Sequence, residues 1–174
     1  MRYKLLIVAA ILALTFGFML YDRTSITTDI EPTHTQQNPP APDVTFNLLN
    51  GGTIALHSLA GHTILLHFWA SWCIPCREEF ASLLTHLQKT NDDTILLAVS
   101  ADAKAQDATR FLAPYKRDFK PLFDSGKVIL AHDPHHTLIE GTFQTFNYPE
   151  TIIIAPDFTL SRKIIGPMQE SLKE

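Results

Sequence analysis

The only two cysteines of this 174-residue chain stand two residues apart, in Trp72-Cys73-Ile74-Pro75-Cys76. Just upstream, Thr63 to Ala70 (TILLHFWA) is an apolar run of strand length, the pattern of a strand buried on both faces. Just downstream, Phe80, Leu83, Leu84 and Leu87 recur at helical spacing. The pair therefore falls at a strand-to-helix junction, with Cys73 predicted at the first helical position. The unsatisfied backbone N–H groups and the dipole of a helix start stabilise a thiolate. A thiol with a lowered pKa is a nucleophile near neutral pH and a good leaving group. Cys76, one turn in and less exposed, is placed to resolve a mixed disulfide. Pro75 suits a first helical turn, where its missing N–H costs nothing. Two other uses of the pair stay open on these residues. One is a structural staple, although a loop this short constrains the unfolded chain little. The other is a metal site, for which the chain has no second CxxC but which His132, His135 or His136 would supplement, with copper as the metal.

The rest of the domain alternates strand and helix signals. Val44–Leu48 and Thr53–Leu56 flank Asn50-Gly51-Gly52, a hairpin signal. Thr94 to Val99 (TILLAV) reads as a second buried strand, and Ala108, Phe111, Leu112 and Tyr115 as a second amphipathic helix. Val128–Ala131, Thr151–Ile154 and Leu160–Ile165 are further strands, the last two split by Pro156-Asp157. Met168 to Glu174 reads as a short terminal helix at most. Apolar strands alternating with helices predict an α/β domain with a mainly parallel, two-sided sheet.

The N-terminus differs in kind. Leu5 to Tyr21 is apolar except for Thr15 and Gly17, follows Arg2 and Lys4, and is about 25 Å long as a helix. No small-residue cleavage site follows it, so residues 1–25 read as a retained membrane anchor, with a cleaved signal peptide as the competing reading. The positive N-terminus then stays inside and the rest is exported. Residues 26–42 are polar, with prolines at 32, 39, 40 and 42, and read as a tether to a domain spanning 43–174. That exported part carries 11 basic and 17 acidic residues, a net charge that argues against an anionic membrane surface as a resting place. A pI near 6.0 and no run of lysine or arginine argue against nucleic acid.

The stretch from Phe68 to Glu79 (FWASWCIPCREE) resembles the active-site segment of the thioredoxin superfamily. More narrowly, it is similar to the membrane-anchored TlpA/ResA/CcmG (DsbE) group of thiol-disulfide oxidoreductases. Ala41-Pro42-Asp43, the hairpin and Leu59-Ala60-Gly61 resemble that group's lead-in. Tyr148-Pro149-Glu150-Thr151 resembles its cis-proline segment, and Lys163-Ile164-Ile165-Gly166 its last strand. The resemblance implies a thioredoxin-like fold, a central mixed, mainly parallel sheet flanked by helices, with an N-terminal β-hairpin extension and an N-terminal transmembrane helix. It implies Cys73 as attacking and Cys76 as resolving cysteine, joined as a redox-active disulfide when oxidised. Trp72 shields the site, Glu79 tunes the thiol pKa values, and Pro149 is the cis-proline. Trp72, Tyr148 and Pro149 border the bound substrate. No cofactor and no metal are implied.

Where the chain departs from the group, its own chemistry enters. His67 stands six residues before Cys73, where thioredoxins carry a buried aspartate. It is either a base of near-neutral pKa or a buried neutral histidine held by hydrogen bonds. Ala81 replaces a helix-kinking proline, and residues 116–127 look inserted. Tyr148 replaces a smaller residue before the proline, narrowing the groove. Glu150 reads as a solvated strand-end charge, and Glu79 also suits a first-turn acid favoured by the helix dipole. The resemblance further implies a monomer of the periplasmic side of the inner membrane that reduces disulfides in apocytochrome c or a similar respiratory-chain protein. Its electrons would come from a membrane donor of the DsbD/CcdA kind. An oxidant or isomerase of exported thiols and a copper-binding assembly factor are the alternative readings.

Overall fold

The computed structural model describes Tyr3 and residues 13–18, 38–89 and 93–168. The chain divides into two units, Met1–Gln37 and Asn38–Glu174. In the first unit the described residues are helical. The anchor expected over residues 5–21 lies largely outside the described residues, as do most of the tether and the terminal segment beyond Met168. Among the described residues no helix is long and apolar enough to cross a membrane.

In the second unit the strands are β1 (Thr45–Leu48), β2 (Thr53–Ala55), β3 (Thr63–Trp69), β4 (Thr94–Ser100), β5 (Val128–His132), β6 (Glu150–Ile154) and β7 (Leu160–Ile165). The helices are α1 (Ile74–Lys89), α2 (Ala105–Asp118) and the short α3 (Lys120–Asp124). They build one sheet of order β2-β1-β5-β4-β3-β6-β7. Only β3–β4 and β4–β5 pair in parallel; the hairpin joins β5 antiparallel, and β6 and β7 add antiparallel beyond β3. The sheet is mixed, as expected, but four of its six strand pairings are antiparallel, which corrects its mainly parallel character. Strand–helix alternation reports the two crossovers through α1 and α2 and does not tell how strands are added at the edges.

β3 and β4 are buried along almost their whole length, as their unbroken apolar sequences require. Adjacent β3 residues serve opposite faces, as the pleat demands. Trp69 meets Phe80 of α1 at 5.3 Å and Phe111 of α2 at 5.2 Å between ring centroids. Phe68 instead meets Phe143, 5.4 Å away, from the long β5–β6 connection. That connection has no helix of its own. The buried Asp133 carboxylate organises it by accepting from the N–H groups of Thr137, Leu138 and Ile139. At the chain's entry, Pro40 bridges to Thr159, and Ala41 N donates to Phe158 O at 2.9 Å. Residues 39–41, at the end of the expected tether, are therefore already part of the folded unit. The segment expected as an insertion, 116–127, is the end of α2 followed by α3 and a turn at Gly126, whose φ of 77° suits glycine. α1 continues unbroken through Ala81.

Candidate active site

β3 ends at Trp69 and α1 begins at Ile74, so residues 70–73 form a tight corner at the carboxyl end of the parallel strands. The Cys73 carbonyl accepts from Arg77 N, 3.1 Å away, which opens the helix. Cys73 is therefore the capping residue, one position before the first helical residue Ile74 and not that residue itself as expected. Its sulfur takes the role that a serine oxygen plays at other caps, accepting from Cys76 N at 3.3 Å. Cys73 and Cys76 are joined as a disulfide, with Cα atoms 5.3 Å apart. Cys73 keeps 6% of its surface and Cys76 none, the asymmetry needed for one attacking and one resolving sulfur.

The corner is held from below by Asp102, which the motif reading passed over. Its buried carboxylate accepts from Ser71 N at 3.0 Å, Ser71 Oγ at 2.7 Å and Ser100 Oγ at 2.8 Å. The available signal was position: Ser100-x-Asp102 closes the strand parallel to β3, and Trp69 stands opposite Ser100 in the register. On the other side, Tyr148-Pro149 is a cis peptide at the start of β6. Trp72, 62% exposed, packs edge-on against Tyr148 at 5.9 Å between ring centroids. That contact brings the cysteine corner and the cis-proline loop together.

His67 is fully buried in β3 and paired in register with Thr151, whose Oγ1 lies 2.9 Å from Nδ1. Its Nε2 is buried without a hydrogen-bond partner, so it bonds to neither cysteine. Burial lowers its pKa to about 4, which makes it neutral at physiological pH. Glu79 is the sixth residue of α1, not a first-turn acid, and it is 1% exposed. It lies three residues beyond Cys76, on the same side of the helix. Oε1 accepts the Met168 N–H while Oε2 has no partner, and burial raises the carboxyl pKa against that hydrogen bond. A carboxyl raised on folding costs stability as pH climbs through its folded pKa. Glu79→Gln keeps the acceptor and is expected to raise the unfolding midpoint relative to wild type at pH 8 but not at pH 4. Equal shifts at both pH values would show that Glu79 does not titrate in the fold.

Glu150 is corrected from a solvated charge to a buried one: it is 2% exposed, accepts from Thr145 Oγ1, and pairs with Lys163 Nζ at 2.7 Å. Two of the three histidines weighed for copper are engaged elsewhere, and the third, His135, is exposed. His132 Nε2 donates to Asp102 O at 2.6 Å, and His136 bonds Ala101 O and Glu140. Among the described residues, no group of three or more His, Cys, Asp or Glu is placed to hold a metal ion.

A thioredoxin-like sheet with a dithiol capping its first helix, opposite a cis-proline, defines a thiol-disulfide oxidoreductase. The chain belongs to the AhpC/TSA family, whose model matches residues 38–163. It is 29% identical over 161 residues to the thiol-disulfide oxidoreductase ResA of a Bacillus cereus strain, covering 92% of this chain and 85% of that one. It is 26% identical over 142 residues to the thioredoxin-like protein YneN of Bacillus subtilis, covering 80% and 77%. A secreted Mycobacterium tuberculosis disulfide oxidoreductase homologous to E. coli DsbE shares the fold. Its TM-score is 0.59 at 20% identity, over 75% of this chain and 91% of that one.

Proposed function

We propose that the Cys73/Cys76 dithiol reduces disulfides in exported polypeptides, close to a membrane that supplies its electrons. One observation carries the substrate class. The large hydrophobic residues exposed among residues 38–168 are Trp72, Ile74, Phe146 and Ile165. Trp72 and Ile74 flank Cys73, Phe146 lies two residues before Tyr148, and Ile165 pairs with Glu150 beside Pro149. An apolar rim of this kind suits a polypeptide flanking its disulfide better than a small charged thiol.

In the reaction, the Cys73 thiolate attacks one sulfur of the substrate disulfide, and the other leaves as a thiolate that takes a proton. Cys76 then gives up its proton and attacks Cys73 Sγ, releasing the second substrate thiol and leaving the Cys73–Cys76 disulfide. Two electrons pass to the substrate. Glu79, with its raised pKa and its place beside Cys76 on α1, serves as the proton acceptor. His67, neutral and buried, adds no charge to the same region. A membrane dithiol of the DsbD/CcdA kind returns the pair to the reduced form. Apocytochrome c, with its CxxCH motif, is the substrate favoured by the resemblance of the FWASWCIPC and Tyr148-Pro149-Glu150-Thr151 segments. The apolar Leu5–Tyr21 block supports a location on the extracytoplasmic face, where tethering raises the effective concentration near the donor.

The deciding measurement is the equilibrium reduction potential of the purified full chain in glutathione and dithiothreitol buffers. A value below about −220 mV is expected for a reductant, whereas one near about −120 mV would make the protein an oxidant of exported thiols.

A further inference from the structure

His136 lies in the β5–β6 connection, with a positive φ of 55°. Both ring nitrogens face acceptors. Nδ1 is 2.7 Å from Glu140 Oε1, and Nε2 is 3.1 Å from the carbonyl oxygen of Ala101. A carbonyl and a carboxylate only accept, so both nitrogens must donate, and only the imidazolium carries two N–H groups. Its ring edge also meets Tyr148 at 6.4 Å between centroids, and Tyr148 in turn meets Trp72. One cationic ring thus ties the loop after β4, the β5–β6 connection and the cis-proline loop.

We propose that His136, as an imidazolium, is a positioning residue for the exchange reaction: it braces Tyr148 and so fixes the wall of the groove in which the substrate polypeptide lies. The proposal rests on the reading that Tyr148-Pro149 borders the substrate.

The charges around His136 are consistent with the cationic state. Glu140 and Asp133, from its own connection, both raise its pKa, the hydrogen bond to Glu140 being the largest cause. From the β4 side it meets the neutral Ala101 carbonyl, and the adjacent Asp102 carboxylate is already taken by Ser71 and Ser100. From the β6 side it meets Tyr148, which burial and the charges of Glu140, Asp133 and Glu150 push up to about 12, so this phenol stays neutral. A histidine whose pKa rises on folding contributes stability fully below its unfolded pKa and loses it as pH climbs through the folded value. The brace is therefore in place below the ordinary histidine pKa and is released as pH climbs through the raised folded value. His136 was weighed above only as a free copper ligand, for which neither nitrogen is available.

The test uses the full chain, with insulin as disulfide substrate, dithiothreitol as reductant, and KM measured from pH 6 to 9. His136→Asn is the informative variant, because asparagine tolerates a positive φ and is neutral throughout. Reading the ratio of variant to wild-type KM cancels the titration of Cys73 and of the reductant. The expected ratio is several-fold at pH 6.5 and falls toward one as pH climbs and wild-type His136 loses its proton. Glu140→Gln is expected to move that fall to lower pH, and NMR of the imidazole is expected to show both nitrogens protonated at pH 6.5. A ratio of one at every pH, with Tyr148→Ala still raising KM, would overturn the brace while leaving the groove intact. If Tyr148→Ala also leaves KM unchanged, the groove reading itself fails.

Discussion

Cys73→Ser is expected to reduce disulfide exchange to the background of the reductant alone, whereas Cys76→Ser is expected to stop halfway, with substrate covalently held. The two sulfurs are three residues apart yet not equivalent. Cys73 caps α1, where its sulfur accepts the Cys76 N–H at 3.3 Å and faces the open amides of the helix start. The same donors stabilise the thiolate once the disulfide opens, which is what makes Cys73 the nucleophile. A serine hydroxyl there stays protonated and cannot replace it. Cys76 is fully covered, so a substrate disulfide cannot reach it. Its role is intramolecular: to attack Cys73 after the mixed disulfide forms. Mass spectrometry of each variant after incubation with a disulfide-bonded polypeptide checks this. Cys76→Ser should carry one substrate per chain, released by dithiothreitol, and Cys73→Ser none. Turnover by Cys76→Ser near the wild-type rate, or substrate trapped on Cys73→Ser, would overturn this division of labour.

What the amino-acid pattern revealed, and what it hid, follows from the range of each interaction. The dithiol, the buried strands β3 and β4 and the helix after Cys76 are local features, written in spacings of two to seven residues. The cis-proline was legible only through the resemblance of Tyr148-Pro149-Glu150-Thr151, since periodicity says nothing about peptide isomers. Asp102 was hidden because it belongs to no motif and its partner Ser71, inside the cysteine segment, lies 31 residues away. Glu150 was misread because a charge at a strand end is usually solvated; its partner, Lys163, lies on the neighbouring strand. His136 resembled its exposed neighbour His135, and only the fold brings Ala101 and Tyr148 against it. The hairpin was legible in its turn, but where it and the β6–β7 pair join the sheet was not, for the same reason: strand order is a long-range property, and the sequence pattern reports only which faces are buried.

The ion pair behind the cis-proline loop carries the largest expected effect on stability. Lys163 Nζ directs its three donors at Glu150 Oε1, 2.7 Å away, and at the carbonyls of Phe143 and Gln144, at 3.1 and 3.0 Å. Its ammonium is fully satisfied, and it fastens β7 both to the first residue of β6 and to the end of the β5–β6 connection. Removing it by Lys163→Met leaves a carboxylate with 2% exposure facing only the Thr145 hydroxyl. Breaking a buried pair on one side costs about 3–5 kcal/mol. The lower end, about 3 kcal/mol, is expected here, because Lys163 is 35% exposed and water can partly replace it. The loss should be dominated by the stranded charge, not by the missing contacts. Glu150→Gln keeps an acceptor for Thr145 and removes the charge, so the double variant should recover most of the stability that Lys163→Met loses. Urea unfolding of the two single variants and the double variant closes the cycle. If the double variant is as unstable as Lys163→Met alone, the ammonium matters for the Phe143 and Gln144 carbonyls and not for Glu150. The pair would then hold the loop, and the Glu150 charge would be incidental to it. Because β6 begins at Glu150, immediately after Pro149, recovery in the double variant would also locate the charge balance that fastens this edge of the groove beside the dithiol.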